Sequence, residues 1–138
     1  MSSVGLEFLE LDDTGDGRGS SFAVPPDWLA GGSPVPVRDL HATTVRPGCV
    51  RGNHFHRRRH EILVVMPCAR WSLHWDSGDG TDPVHRTFAG TSAVVVRIPP
   101  GVSHAVRNEA DRELTLLGIC DEVYEPGGGE TVRREVTR

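Results

Sequence analysis

The chain has 138 residues, 37% of them hydrophobic and 25% charged, with a formal net charge of -4 when its seven histidines are neutral. That length buries a core without help from disulfides or a structural metal, and the acidic balance argues against the positive surface a nucleic-acid partner requires. No stretch has the length of a membrane span and the N-terminus lacks the basic and apolar regions of a signal peptide, so a soluble, cytoplasmic protein with no membrane partner is expected.

Strand signals dominate the chain. Leu6 to Leu11 is the first candidate, followed by a loop composition from Asp12 to Gly19. Pro25-Pro26-Asp27-Trp28-Leu29 predicts one helical turn that Gly31-Gly32 ends, and Trp28 on it can cover an edge of the core. Pro34 to Val45 alternates and is rich in β-branched residues before the turn at Pro47-Gly48. Further strands are predicted at Val50 to His56, Ile62 to Val65, Arg70 to Trp75, Val84 to Phe88, Ala93 to Ile98, His104 to Asn108 and Leu114 to Ile119. Pro126-Gly127-Gly128-Gly129 is a flexible break before a final charged strand or tail. Short strands at this spacing predict an all-β sandwich or barrel, as a single domain over 1–138 with its core at about 35–125 and an N-terminal arm. Cys49, Cys68 and Cys120 are widely spaced and read as thiols in a reducing compartment.

Two segments carry chemistry: Gly48-x5-His54-x-His56-x4-Glu61, and Pro99-Pro100-Gly101-Val102-Ser103-His104-x3-Asn108. His54 and His56 lie two apart, so on a strand both side chains leave the same face. Arg57 to His60 can turn the chain and return Glu61 to the same cavity, and the turn at Pro99-Pro100-Gly101 can present His104 from across the barrel. Three imidazoles and one carboxylate would suit a divalent transition metal, zinc first, with iron, manganese or nickel also compatible. Separate structural use of the four residues is the alternative, and His60 competes with Glu61 as a ligand. Arg51, Arg57, Arg58 and Arg59 suit an anion-tolerant pocket rim, Arg58 and Arg59 reading as solvated surface arginines.

These motifs resemble those of the cupin superfamily, which implies a jelly roll, or double-stranded β-helix, with His54, His56, Glu61 and His104 as metal ligands. Two departures fall at turns: Cys68 stands at the usual closing glycine of the first motif and Ala93 at the upstream glycine of the second. A closer resemblance is to cupins acting on nucleotide-linked sugars. Asp16-x-Arg18-Gly19-x2-Phe22 and Val45-x-Pro47-Gly48-x2-Arg51-Gly52-x-His54 are similar to segments of deoxysugar 3,5-epimerases and 3,4-ketoisomerases. Arg51-Gly52-Asn53-His54-Phe55-His56 is similar to the C-terminal cupin domain of capsular polysaccharide sugar enzymes, and the ketoisomerases tend toward Gln where this chain has Glu61.

The resemblance implies an epimerase or isomerase of a nucleotide-linked keto sugar in polysaccharide or deoxysugar biosynthesis. Such chemistry removes a proton alpha to a carbonyl and stabilises the enolate oxygen. His60 is the expected base when His54 is bound to metal, Tyr124 can donate a proton, and Arg18, Arg51 and Asn53 are expected to bind substrate. A homodimer follows from the resemblance and from an N-terminal arm able to pair with a partner's sheet edge. A separate reductase is a possible partner, because no dinucleotide-binding glycine motif is present. An iron-dependent dioxygenase and a noncatalytic sugar-binding cupin are the alternatives.

Overall fold

A computed structural model describes residues 5–30, 37–78 and 81–138. The expected stop at Gly31-Gly32 and the first residues of the strand expected from Pro34 lie outside them. Among the described residues, ten strands and one helical turn follow in chain order: β1 (Glu7–Leu11), α1 (Pro26–Ala30), β2 (Asp39–Val45), β3 (Val50–His56), β4 (Glu61–Val65), β5 (Arg70–Trp75), β6 (Val84–Ala89), β7 (Ala93–Ile98), β8 (His104–Asn108), β9 (Leu114–Cys120) and β10 (Thr131–Arg133). They form two five-stranded sheets, β1-β7-β4-β9-β2 and β10-β3-β8-β5-β6, antiparallel throughout. The fold is thus all-β with two layers, consistent with a jelly-roll arrangement. Among the described residues no helix is long and apolar enough to cross a membrane.

Alternation along the strands sends side chains to two different cores. Val94, Val96 and Ile98 of β7 join Leu63 and Val65 of β4 in the space between the sheets, where they meet Trp71, Leu73, Phe88 and Val106 of the second sheet. The intervening Ala93 and Val95 point outward with Val64, beneath Phe22, Val24 and Trp28 of the N-terminal arm. Both faces of β7 are therefore covered, which is why its sequence reads as a continuous apolar run. Trp28 also lies 4.4 Å from the Arg97 guanidinium, a cation–π contact. The arm's strand bonds to the edge of its own chain, with Glu7 opposite Arg97 and Leu11 opposite Ala93. β1 is the end strand of its sheet, so one edge bonds to β7 and the other pairs with no strand among the described residues.

Asn108, the last residue of the second motif, is fully buried and acts as a clamp. Its Nδ2 donates to the carbonyls of Val45 (2.8 Å) and Arg112 (2.7 Å), while Oδ1 accepts from the Ala110 N–H. Cys68 is buried with its sulfur 3.9 Å from the same amide oxygen, so the departure from glycine at this position packs into the core. The second sheet extends past the expected core range, because β10 pairs with β3 from Thr131 opposite His56 to Arg133 opposite His54.

Strand β3 approaches β8 most closely at Gly52, where φ is +108° and an added Cβ would lie 2.6 Å from the His104 carbonyl oxygen. Gly48 also has positive φ, +76°, but faces open space. Replacing Gly48 with Ala should cost about 1–2 kcal/mol of left-handed strain, whereas Gly52→Ala adds a backbone clash and should cost roughly 3 kcal/mol or more. Urea midpoints of the two variants measure the difference, and equal losses would contradict the close-approach account.

Candidate metal centre and pocket

Register and turns bring four distant side chains together. Gly52 pairs with Ala105, but after the positive-φ Asn53 (+56°) the next pair is His54 with His104, a register shift of the bulge type. The bulge sets His54 directly across the ladder from His104, and His56 follows two residues later on the same face. The turn before His104 is tied to both neighbours: Gly101 N–H donates to the His56 carbonyl at 2.8 Å, and buried Asp76 accepts from Ser103 N–H at 3.2 Å. Glu61 enters from the opposite sheet as the first residue of β4.

One ligand atom from each of His54, His56 and His104 can be chosen so that all lie within 4.8 Å of one another, giving a tri-His cluster compatible with a divalent metal. Glu61 Oε1 lies 3.3 Å from His104 Nε2 and 3.8 Å from His56 Nε2. Hydrogen bonds on the far side of two rings define what faces inward. His104 Nδ1 donates to the Val102 carbonyl at 3.1 Å and His56 Nδ1 donates to Glu130 Oε1 at 3.0 Å, since a carbonyl or carboxylate can only accept. In the neutral rings each Nε2 then carries a lone pair toward the Glu61 carboxylate. His56 Nε2 is buried with no hydrogen-bond partner among the described residues. Acceptors facing acceptors in a buried space are complementary to a cation, so the residues present fit a metal.

The electrostatics agree. Burial, followed by the charges of His104 and His56, lowers His54 from its ordinary 6.5 to about 4, and burial likewise lowers His56. Both imidazoles are therefore held in the neutral form a metal ligand requires. Burial alone would raise Glu61, but hydrogen bonding from His104 and the charges that His104, His56 and His54 carry when protonated outweigh it and lower the carboxyl from 4.5 to about 2, so the carboxylate favours positive charge on the inner face of the cluster. The second oxygen of Glu61 is engaged separately, Cys120 Sγ donating to Oε2 at 3.5 Å. Burial and the Glu61 charge push the Cys120 thiol up to about 12, which keeps it protonated for that bond.

A cavity of about 370 Å³ opens from this cluster, within the size range of small-molecule sites. Arg51 and Tyr124, both expected from the sequence, line it. Arg51 Nε donates to the Thr44 carbonyl at 3.3 Å, and the Tyr124 ring is half exposed, 5.8 Å from the Arg59 guanidinium. Arg59, expected on the surface, is 95% buried and lines the same cavity, whereas Arg58 is exposed and pairs with Glu122. The remaining expected residues are placed elsewhere. The His60 ring is bound to Asp121 at 2.8 Å outside the cavity lining. Arg18 pairs with Asp16 with its side chain 91% exposed. Asn53 turns to the other face, where its amide accepts from Val136 and Thr137 N–H and donates to the Thr137 carbonyl.

Sequence reading passed over His41, Gly118 and Glu130, and took Cys120 only as a thiol in a reducing compartment. His41 and Gly118 are directly paired on β2 and β9 and both line the cavity. His41 Nδ1 lies 3.1 Å from Asp39 Oδ1, and Asp39 Oδ2 accepts the Tyr124 N–H at 3.1 Å. Gly118 keeps the space beside Glu61 open, since a Cβ there would sit 3.5 Å from Glu61 Oε2. The signal for His41 was its spacing from Asp39, two apart on a strand. Which face those residues occupied depended on pairing with β9.

Solved structures share this fold. A 4-keto-6-deoxy sugar epimerase from the novobiocin biosynthetic gene cluster of Streptomyces spheroides superposes with a TM-score of 0.72 at 20% identity, covering 91% of this chain and 68% of that one. A sugar 3,4-ketoisomerase from Thermoanaerobacterium thermosaccharolyticum, solved in complex with TDP, gives 0.70 at 17% identity over 95% and 89%. The capsular polysaccharide assembling protein CapF of Staphylococcus aureus gives 0.65 at 23% identity over 91% of this chain but 34% of that one. At these identities the likeness establishes a shared cupin-like fold. No curated protein sequence matches the chain. The family profile described as polysaccharide biosynthesis C-terminal domain matches residues 37–132, from just before β2 into β10. Since that match takes in both metal-type motifs and well over half of the chain, the protein belongs to the polysaccharide biosynthesis C-terminal domain family.

Proposed function

We propose that the protein is a divalent-metal cupin enzyme that epimerises or isomerises a nucleotide-linked keto sugar in polysaccharide or deoxysugar biosynthesis. The observation that carries this reading is the buried set of acceptor atoms at the inner end of a cavity whose rim offers groups able to bind a sugar and move a proton. His54, His56, Glu61 and His104 would hold the metal, zinc being the first choice over iron, manganese or nickel. A divalent cation there supplies charge that polarises a carbonyl and stabilises an enolate oxygen.

The chain's own residues supply the rest. His41 takes the role of base in preference to His60, because it lines the cavity and has Asp39 beside Nδ1, leaving Nε2 free to accept a proton alpha to the carbonyl. Tyr124, carried by the same Asp39, is the proton donor. Arg51 orients a phosphate or carbonyl oxygen from the rim. Arg18 and Asn53 would serve substrate only through movement of the segments that now engage them, so they fall outside the proposed site. A homodimer belongs to the same reading, supported by Leu40, 65% exposed on the edge strand β2. A separate reductase acting on the product completes it.

Elemental analysis of protein purified without chelator should find close to one divalent metal per chain, lost in the His54→Ala, His104→Ala double variant while the fold is retained. Negligible metal in the wild type would end the metal-centre reading. Activity is tested with a TDP-linked 4-keto-6-deoxy sugar in deuterated water. Deuterium should enter the carbon alpha to the carbonyl without oxygen uptake, and His41→Gln should slow entry about 10²–10⁴-fold. Oxygen consumption requiring ferrous iron would instead select a dioxygenase, and binding with neither reaction a sugar-binding protein.

Protonation of the ligands gives a further test. The folded His54 value of about 4 lies below 6.5, so as pH falls the unfolded chain takes up its proton first. The stability tied to His54 is thus complete above about 6.5 and is lost between there and 4. Glu61 has the same sign, losing its contribution from 4.5 down toward 2. Urea midpoints of metal-free protein should fall steadily from pH 7 to 4.5, and more gently in His54→Gln. A flat or rising midpoint would refute the assignment.

A further inference from the structure

Glu130 stands outside the ligand set, on the C-terminal segment, yet it is 92% buried beside His56. Its two oxygens have different partners. Oε2 accepts the backbone N–H groups of Arg58 and Arg59, both at 2.9 Å. Oε1 accepts His56 Nδ1–H at 3.0 Å and lies 3.7 Å from the Arg59 Nε. The backbone bonds fix the carboxylate in place, and the pairing of Thr131 with His56 fixes the strand that carries it. Thr131 Oγ1 is also near the imidazole, 3.2 Å from the same nitrogen, but a hydroxyl can donate or accept and so imposes no tautomer. Only the carboxylate demands a proton on Nδ1.

Resting on the metal-centre reading, we propose that Glu130 is the positioning residue of the site: it holds His56 as the Nδ1–H tautomer and aims the Nε2 lone pair into the cluster. Outer carboxylates of this kind set ring orientation and ligand basicity, and their loss costs about 10–100-fold in metal affinity. The C-terminal strand is thereby part of the metal centre and more than an edge added to the sheet.

The decisive variant is Glu130→Gln. Its single carbonyl oxygen is claimed by the two backbone N–H groups, so its amide NH₂ faces His56 Nδ1 and forces that nitrogen to accept. The ring proton then moves to Nε2, pointing into the cluster. Nitrogen-15 NMR of metal-free protein should show the His56 proton on Nδ1 in the wild type and on Nε2 in Glu130→Gln. Cobalt(II) titration, read from its d–d absorption, should show affinity about 10–100-fold lower in the variant. Thr131→Val should leave tautomer and affinity as in the wild type. A wild-type His56 protonated on Nε2 would overturn the proposal without any variant. So would a folded Glu130→Gln that keeps both the Nδ1 proton and wild-type affinity. Wild-type protein that binds no cobalt would remove the metal centre and with it this role, an outcome visible before any variants are compared.

Discussion

The approach of β3 to β8 is the constraint on which the site depends. His54 and His104 meet because one ladder position has no side chain, at Gly52, and the next has positive φ, at Asn53. A strand with regular register would still direct His54 and His56 to one face, but it would offset them from His104. The bulge therefore converts two separate sequence motifs into one cluster. The same backbone feature sends the Asn53 side chain to the opposite face, where three hydrogen bonds hold residues Val136 and Thr137. Ligand geometry and the anchoring of the C-terminal segment are thus two consequences of one irregular residue pair.

A second constraint is electrostatic. Burying His56 and His104, with His54 and Glu61 partly buried beside them, withdraws polar groups from water, and each unpaired buried acceptor costs free energy unless a donor or cation meets it. The far-side bonds of His56 and His104 use up the proton each neutral ring has to offer. The Cys120 thiol satisfies one oxygen of Glu61 and leaves Oε1 toward the histidines. Donors thus surround the cluster on its outside and acceptors fill its inside. A hydrogen-bonded structural network would interleave the two, which is why this arrangement points to a bound cation more strongly than the presence of four ligand-type residues does.

Much of the fold was legible from local pattern. β3, β5, β7 and β8 have the limits expected from alternation, β-branched content and turn residues, because each is bounded by glycine, proline or a charged turn. The shared face of His54 and His56 followed from strand period alone. Placing Glu61 and His104 with them required the family resemblance, since those contacts cross between sheets or strands far apart in sequence. Glu130 lies 74 residues from His56, and nothing in Gly-Gly-Gly-Glu distinguishes a buried orienting carboxylate from a solvated one. Asn53 is a different kind of miss. The bulge between Gly52 and His54 decides which face it takes, and strand alternation in the sequence does not reveal it, so adjacency to His54 was the wrong guide.

The two ends of the inter-sheet space show how one pattern builds both a core and a pocket. Along β4 the inward residues are Val65, Leu63 and Glu61, and along β9 they are Leu114, Leu116, Gly118 and Cys120. At one end large apolar side chains meet Trp71 and Leu73 and exclude water. Toward the other, β9 gives up side-chain volume at Gly118 just as β4 turns from Leu to Glu, and the sheets cannot close over the gap. The strands need no break or bend for this, because the change is made by side chains on an unbroken ladder. Apolar packing is concentrated at one end, leaving the other free to pair its acceptors with a cation and to keep a cavity above them.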